Sequence, residues 1–179
     1  MSSVLELRCH PDTPCDAVEA LTVTAERGAS GRLDLRYRVT GAVGRLALPA
    51  LRDAGRAGEL WRTTCFELFV RAGDGPGYRE YNFAPSLDWA AYDFTGYRAG
   101  MADAPTAAPS LALVRRTDRL ELAAHLCLPS DAPVRIGLSA VIDLGGGAVS
   151  YWALAHPAGK PDFHDAACFA ASLAAPSGA

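Results

Sequence analysis

The sequence predicts an all-β protein, an antiparallel β-sandwich of about ten short strands. Three observations predict it. Short stretches alternate apolar and polar residues with the period of two that a strand with one buried face requires. Clusters of Gly, Pro, Asp and Ser interrupt them at short intervals. The chain is nearly free of stretches that read as helix, so its core has to come from two sheets packed face to face.

Val4 to His10 leans apolar, is stopped by Pro11 and Pro14, and reads as an edge strand. Val18 to Glu26 is a strand rich in β-branched residues, and Gly28 to Gly31 a turn. Arg32 to Thr40 has the clearest alternation: Leu33, Leu35, Tyr37 and Val39 on one face, Arg32, Asp34, Arg36 and Arg38 on the other. Leu46 and Leu48 mark a further short strand. Pro49 to Glu59 is a loop or one helical turn, its glycines weakening any longer helix.

The chain is organised around Leu60 to Met101. Cys65 to Ala72 reads as a strand with Phe66, Leu68 and Val70 toward the core and Cys65, Glu67 and Phe69 away from it. Ala72 to Gly77 is a turn, and Tyr78 to Ala84 returns antiparallel, with Arg79, Tyr81 and Phe83 alternating with Tyr78, Glu80 and Asn82. Trp89 to Phe94 is another strand, and Tyr97 to Ala108 a loop.

Leu111 to Arg116 and Arg119 to Leu128 form a second hairpin, with Leu120, Leu122, Ala124, Leu126 and Leu128 inward. Arg135 to Leu144 points Ile136, Leu138, Ala140 and Ile142 inward. Gly145 to Gly147 is a turn, since neither the Lys-Ser/Thr of a phosphate loop nor a helix follows. Val149 to Ala155 completes that hairpin, and Cys168 to Leu173 is the last strand. Residues 1–175 make a single domain, with a frayed tail at 176–179.

The net charge of −3 supplies no broad electrostatic footprint for nucleic acid, because the arginines are scattered among acids. No apolar run is long enough to span a bilayer, and no secretory signal is visible in MSSVLELRCHPD, so a cytoplasmic protein is expected. Five widely spaced cysteines without a Cys-x-x-Cys pair argue against a zinc ribbon and for free thiols.

The candidate ligand-binding residues fall in two groups. Trp61, Glu67, Glu80, Asn82, Trp89 and Tyr92 place carboxylates and an amide among aromatic rings, a combination that suits a polyhydroxylated ligand. His156, Lys160, Asp162 and His164 crowd a Pro/Gly-rich loop. A metal reading of His156, Asp162 and His164 lacks any fixed spacing. The favoured reading has Asp162 and His164 bonding loop backbone and Lys160 pairing with Asp162. Glu67 and Glu80, with Asp88 or Asp93 as other second acids, raise the possibility of a glycoside hydrolase, a signal with little specificity. No Gly-x-Ser-x-Gly occurs, and no catalytic residue is assigned.

The blocks LWRTTCFELFV, YREYNFAPSLDWAAYDFTGYRAGM and LSAVIDLGGGAVSYWALAHPAGKPDFHD together resemble the bacterial DOMON-like domains, which are related by fold to the family 9 carbohydrate-binding modules. The resemblance spans nearly the whole chain after its first strands. It implies a jelly-roll-like β-sandwich of a superfamily that binds sugar or haem. By analogy with the sugar-binding relatives, the ligand would lie against Trp61, Glu67, Glu80, Asn82 and Trp89. The haem-binding relatives use a Met and a His, here Met101 with His125, His156 or His164.

The expected function is therefore a non-catalytic module binding a carbohydrate or glycan fragment, with no cofactor. The alternatives are a haem-binding redox module, a protein-interaction module with a flat, dry aromatic surface, and a glycoside hydrolase.

Overall fold

The structure is a computed structural model that describes residues 3–128 and 130–176. The predicted frayed tail lies outside the described residues from Ser177 onward. Twelve strands and a few single-turn 3₁₀ helices make up the fold, and no α-helix occurs among the described residues. The strands are β1 (Ser3–Cys9), β2 (Val18–Arg27), β3 (Arg32–Gly41), β4 (Cys65–Ala72), β5 (Tyr78–Phe83) and β6 (Trp89–Phe94). They continue with β7 (Ala102–Asp103), β8 (Ser110–Arg115), β9 (Arg119–Cys127), β10 (Val134–Gly145), β11 (Ala148–Ala153) and β12 (Ala171–Leu173).

All neighbours are antiparallel, in the order β7-β6-β5-β4-β10-β11-β1-β2-β3-β9-β8, with β12 beside β11 on the same edge of β10. This ladder curls back on itself, so that β1, β2, β3, β9 and β8 face β4, β5, β6, β10 and β11 as the two layers of a sandwich. The predicted inward residues meet between them: Leu33, Leu35, Tyr37 and Val39 from one layer pack with Phe66, Leu68, Ile136 and Leu138 from the other. The Tyr37 and Phe66 rings lie 5.0 Å apart, and the buried Tyr37 hydroxyl donates to the Glu67 carbonyl at 2.8 Å. That bond spares the hydroxyl a desolvation cost of about 1–3 kcal/mol.

Four sequence expectations need correction. The stretch Tyr97 to Ala108, expected as a loop, contains the two-residue strand β7, whose Ala102 and Asp103 pair with Asp93 and Tyr92 of β6. β1 is an interior strand: Ser3 to Leu7 pair with β2, while Arg8 and Cys9 pair with β11, so the strand passes from one layer to the other and uses both backbone edges. Leu46 and Leu48 form no strand. After a 3₁₀ turn at Val43–Arg45, the Ala47 N–H bonds the Asp143 carbonyl and its own carbonyl takes the Thr64 hydroxyl, so its backbone joins no ladder. The last strand is shorter than predicted, because Ala166–Cys168 is a 3₁₀ turn capped by Asp165, whose carboxylate accepts from Ala167 N at 2.8 Å. The turn lies flat on β10 at Gly137, where a Cβ would stand 3.0 Å from the Cys168 carbonyl oxygen.

The second layer is buried on both faces. Outward-pointing Phe69, Tyr78, Tyr92, Phe94 and Val141 form a second apolar cluster with Phe163 and Phe169 from the segment after β11. The Leu60–Arg62 turn packs Trp61 onto the same face. This cover shapes the site.

Candidate functional site

The register of β4, β5 and β6 sets the floor. Glu67 stands opposite Asn82, Phe69 opposite Glu80, and Glu80 opposite Tyr92, so Glu67 and Glu80 project diagonally from adjacent strands on the outer face. Above them lies a cavity of about 390 Å³, lined by Trp61, Glu67, Glu80, Phe94, Arg98, Met101, Val141, Tyr151, Pro161, Phe163 and His164. Its volume falls among small-molecule sites, roughly 300–1,000 Å³. The strands supply the carboxyls, the Leu60–Arg62 turn supplies Trp61, and the loops after β6 and β11 supply Arg98 and His164.

Both carboxyls are nearly inaccessible, Glu67 at 3% exposure and Glu80 at 4%. Glu67 Oε2 accepts from the Ser139 hydroxyl at 3.0 Å, and Glu80 Oε1 accepts from Asn82 Nδ2 at 2.7 Å. Burial, followed by the charge of Glu80, pushes Glu67 well above the usual carboxylate range. Burial raises Glu80 to about 7, against the opposing pull of the Asn82 bond and Arg98.

His164 bonds the Tyr78 hydroxyl through Nδ1 at 2.7 Å and directs Nε2 toward Glu80 Oε2 at 3.8 Å. The Tyr78 oxygen also accepts the Arg98 backbone N–H at 3.2 Å. With Tyr78 donating its proton to Nδ1, the imidazole proton sits on Nε2, facing the cavity. Burial and then the Arg98 charge lower His164 to about 4, so the ring is neutral at ordinary pH. Arg98, at φ 51°, bonds Asp162 Oδ1 at 2.8 Å. Asp162 also receives the Tyr97 hydroxyl and, at 3.1 Å, the His164 backbone N–H. Burial works against it, yet these bonds hold Asp162 below the usual carboxylate value.

Of the predicted site residues, Trp61, Glu67, Glu80 and His164 line the cavity. Asn82 and Asp162 stand one layer back, bonding Glu80 and Arg98 respectively. Tyr92 lies behind Trp61, their rings 5.8 Å apart edge to face, and lines a smaller neighbouring cavity with Arg56 and Asp103. Trp89 is in the main core, because it shares the parity of Phe83 and Ala91, and it carries the Arg56 guanidinium 4.6 Å over its ring. His156 faces the other way, bonding the Arg8 carbonyl at 2.8 Å and packing edge-on against His10. Lys160 is exposed and does not pair with Asp162, whose cation is Arg98.

Sequence reasoning missed Arg98, Phe94, Val141, Tyr151, Pro161 and Phe163 as site residues. Strand parity alone marks Phe94 and Tyr151: Phe94 lies opposite in parity to the core residue Ala91, and Tyr151 alternates with the buried Trp152. No local signal marks Arg98. Of the histidines set against Met101 for haem, His125 bonds Asp34 on the opposite layer, and only His164 shares its cavity. The flat surface expected of a protein-interaction module is replaced by a concavity on this face.

No protein-family model matches the sequence, and no curated protein is significantly similar to it. Three solved structures are similar in fold. One is a "putative carbohydrate-binding protein" from Bacteroides uniformis ATCC 8492, at TM-score 0.69 and 14% identity, covering 97% of this chain and 85% of that one. The second is a family 9 carbohydrate-binding module from Caldicellulosiruptor kristjanssonii in complex with cellotriose, at TM-score 0.53 and 10% identity, covering 88% and 75%. The third is a family 9 module from the same organism in complex with glucose, at TM-score 0.51 and 10% identity, covering 89% and 78%. At these identities the likeness is one of fold: the chain is a β-sandwich of the kind seen in family 9 carbohydrate-binding modules.

Proposed function

We propose that the chain is a non-catalytic carbohydrate-binding module and that the cavity over Glu67 and Glu80 is its site. The observation carrying this reading is the cavity itself: buried polar groups on the floor, with Trp61, Phe94, Tyr151 and Phe163 as walls. Sugar rings present apolar faces that pack on aromatic side chains, and hydroxyls that bond carboxyl, imidazole and guanidinium groups. The sugars held by the two family 9 modules support the reading, as does the motif resemblance to DOMON-like domains. The free thiols Cys9, Cys15, Cys65, Cys127 and Cys168 fit a reducing compartment, in keeping with a cytoplasmic protein.

Tryptophan emission tests it. Of the three tryptophans only Trp61 lines the cavity, while Trp89 and Trp152 are core residues. Titration with glucose and cello-oligosaccharides should give a saturable change that disappears in Trp61→Phe, with no new reducing ends formed. Silence toward sugars sinks the reading. Saturable quenching by haem in a parallel titration would replace it with the redox class, and product release with catalysis.

A further inference from the structure

The cavity holds more acid than base. Facing it are Glu67 from β4, Glu80 from β5, His164 from the loop after β11 and Arg98 from the loop after β6. Asp162 backs Arg98 at 2.8 Å and offsets its charge. His164 is neutral and, with its Nε2 3.8 Å from Glu80 Oε2, supplies no counter-ion. The other titratable groups packed around the carboxyls, Cys65 and Tyr37 beside Glu67 and Tyr78 and Tyr92 near Glu80, are raised by burial and stay uncharged; Tyr151 adds a phenol to the wall. No Lys or Arg among the described residues bonds either carboxyl. Glu67 is 3% exposed and lines the cavity, yet only its Oε2 has a partner, the Ser139 hydroxyl. Its Oε1 accepts no hydrogen bond from the described residues.

Two buried carboxyls that share one floor, with no cation bonded to either and the nearby Arg98 already paired to Asp162, retain a proton when the site is empty. A ligand bearing only hydroxyls leaves that imbalance in place. A ligand bearing an ammonium removes it, because the cation takes the position of the missing partner.

We propose that the sugar taken by this cavity is an amino sugar, a hexosamine whose ammonium seats between Glu67 and Glu80 while its ring packs on Trp61. This rests on the carbohydrate reading and narrows its ligand class. Charge balances as follows: the ammonium enters as a cation, the carboxyl pair gives up its retained proton to solvent, and the pair ends as two carboxylates around one cation. Apart from that proton, no covalent bond forms or breaks.

The test is calorimetric titration of the full chain at pH 7 with glucosamine, glucose and N-acetylglucosamine, in two buffers of different ionisation enthalpy. Glucosamine should bind at least about tenfold more tightly than glucose. N-acetylglucosamine, which has an amide at the same position and no charge, should show no such gain. The buffer dependence should report proton release for glucosamine alone. In Glu67→Gln and Glu80→Gln, each checked for folding by its thermal melt, the glucosamine-to-glucose ratio should fall to about one. Glucosamine binding no tighter than glucose overturns the inference and leaves the carbohydrate reading standing. Absence of binding by all three sugars overturns both. A preference without proton release, or one that survives both substitutions, overturns the proposed seat, and the proton measurement holds even if a variant does not fold.

Discussion

Arg98 and Asp162 are 64 positions apart in the chain and 2.8 Å apart in the fold, where they tie the loop after β6 to the loop after β11 across the cavity. Asp162 gathers Arg98, the Tyr97 hydroxyl and the His164 backbone N–H, so one carboxylate holds two walls. Arg98 is half exposed, and solvent screening keeps the contribution of the pair to stability at roughly 0.5–1 kcal/mol. A double-mutant cycle on Arg98→Met and Asp162→Asn, read by denaturant unfolding, should return coupling of that size, and both single variants should weaken sugar binding. Zero coupling would mean that the loops hold their positions independently.

Glu80 should make the protein less stable as pH rises. Its folded value of about 7 exceeds the ordinary 4.5, so the folded state binds more protons across that window and stability falls with increasing pH. His164 acts oppositely: held at about 4 against an ordinary 6.5, it favours the fold increasingly as pH rises toward 6.5. The Glu80 and His164 effects offset each other in mildly acid solution; above it the Glu80 penalty is unopposed by His164 and is joined by that of Glu67, which burial also raises. Glu80→Gln, which keeps an acceptor for Asn82, should therefore stabilise the fold by about 1–3 kcal/mol at pH 8 and by little near pH 5. Thermal melts at both pH values check this, and an equal shift at the two would contradict it.

Trp61 and Trp89 should separate binding from stability. Trp89 is 6% exposed in the main core, and Trp89→Ala should cost about 3–5 kcal/mol in denaturant unfolding. Trp61 is half-buried at the cavity wall, so Trp61→Ala should cost roughly 1 kcal/mol or less and abolish the sugar response. A reversal of the two stability effects would refute the placement of both rings.

His156→Ala should leave sugar affinity unchanged to within about twofold, because the ring lies outside the cavity. It removes the bond to the Arg8 carbonyl and the packing on His10, at a cost of about 0.5–1.5 kcal/mol. Burial lowers the His156 value, so its contribution in the wild type weakens as the ring protonates in acid. Unfolding at pH 7 and pH 5, alongside a sugar titration, measures both effects.

Most strands, and the faces of β4, β5, β9 and β10, were legible in the sequence, because alternation is a local property that each strand carries by itself. The same rule, applied to β6, separates Trp89 from Tyr92: residues three apart on a strand point to opposite faces, so one joined the core and the other the outer cluster. The sequence alone thus determined an all-β sandwich and put Glu67 and Glu80 each on the non-core side of its own strand, while the β4–β5 register brought the two together. Only the tertiary structure decided that this face is covered, that Arg98 and not Lys160 pairs with Asp162, and that His164 and not His156 joins the carboxyls. Those outcomes depend on where loops far apart in sequence land on the sheet. That placement, and the charge states that burial then imposes, are set by contacts between distant segments, of which local periodicity carries no trace.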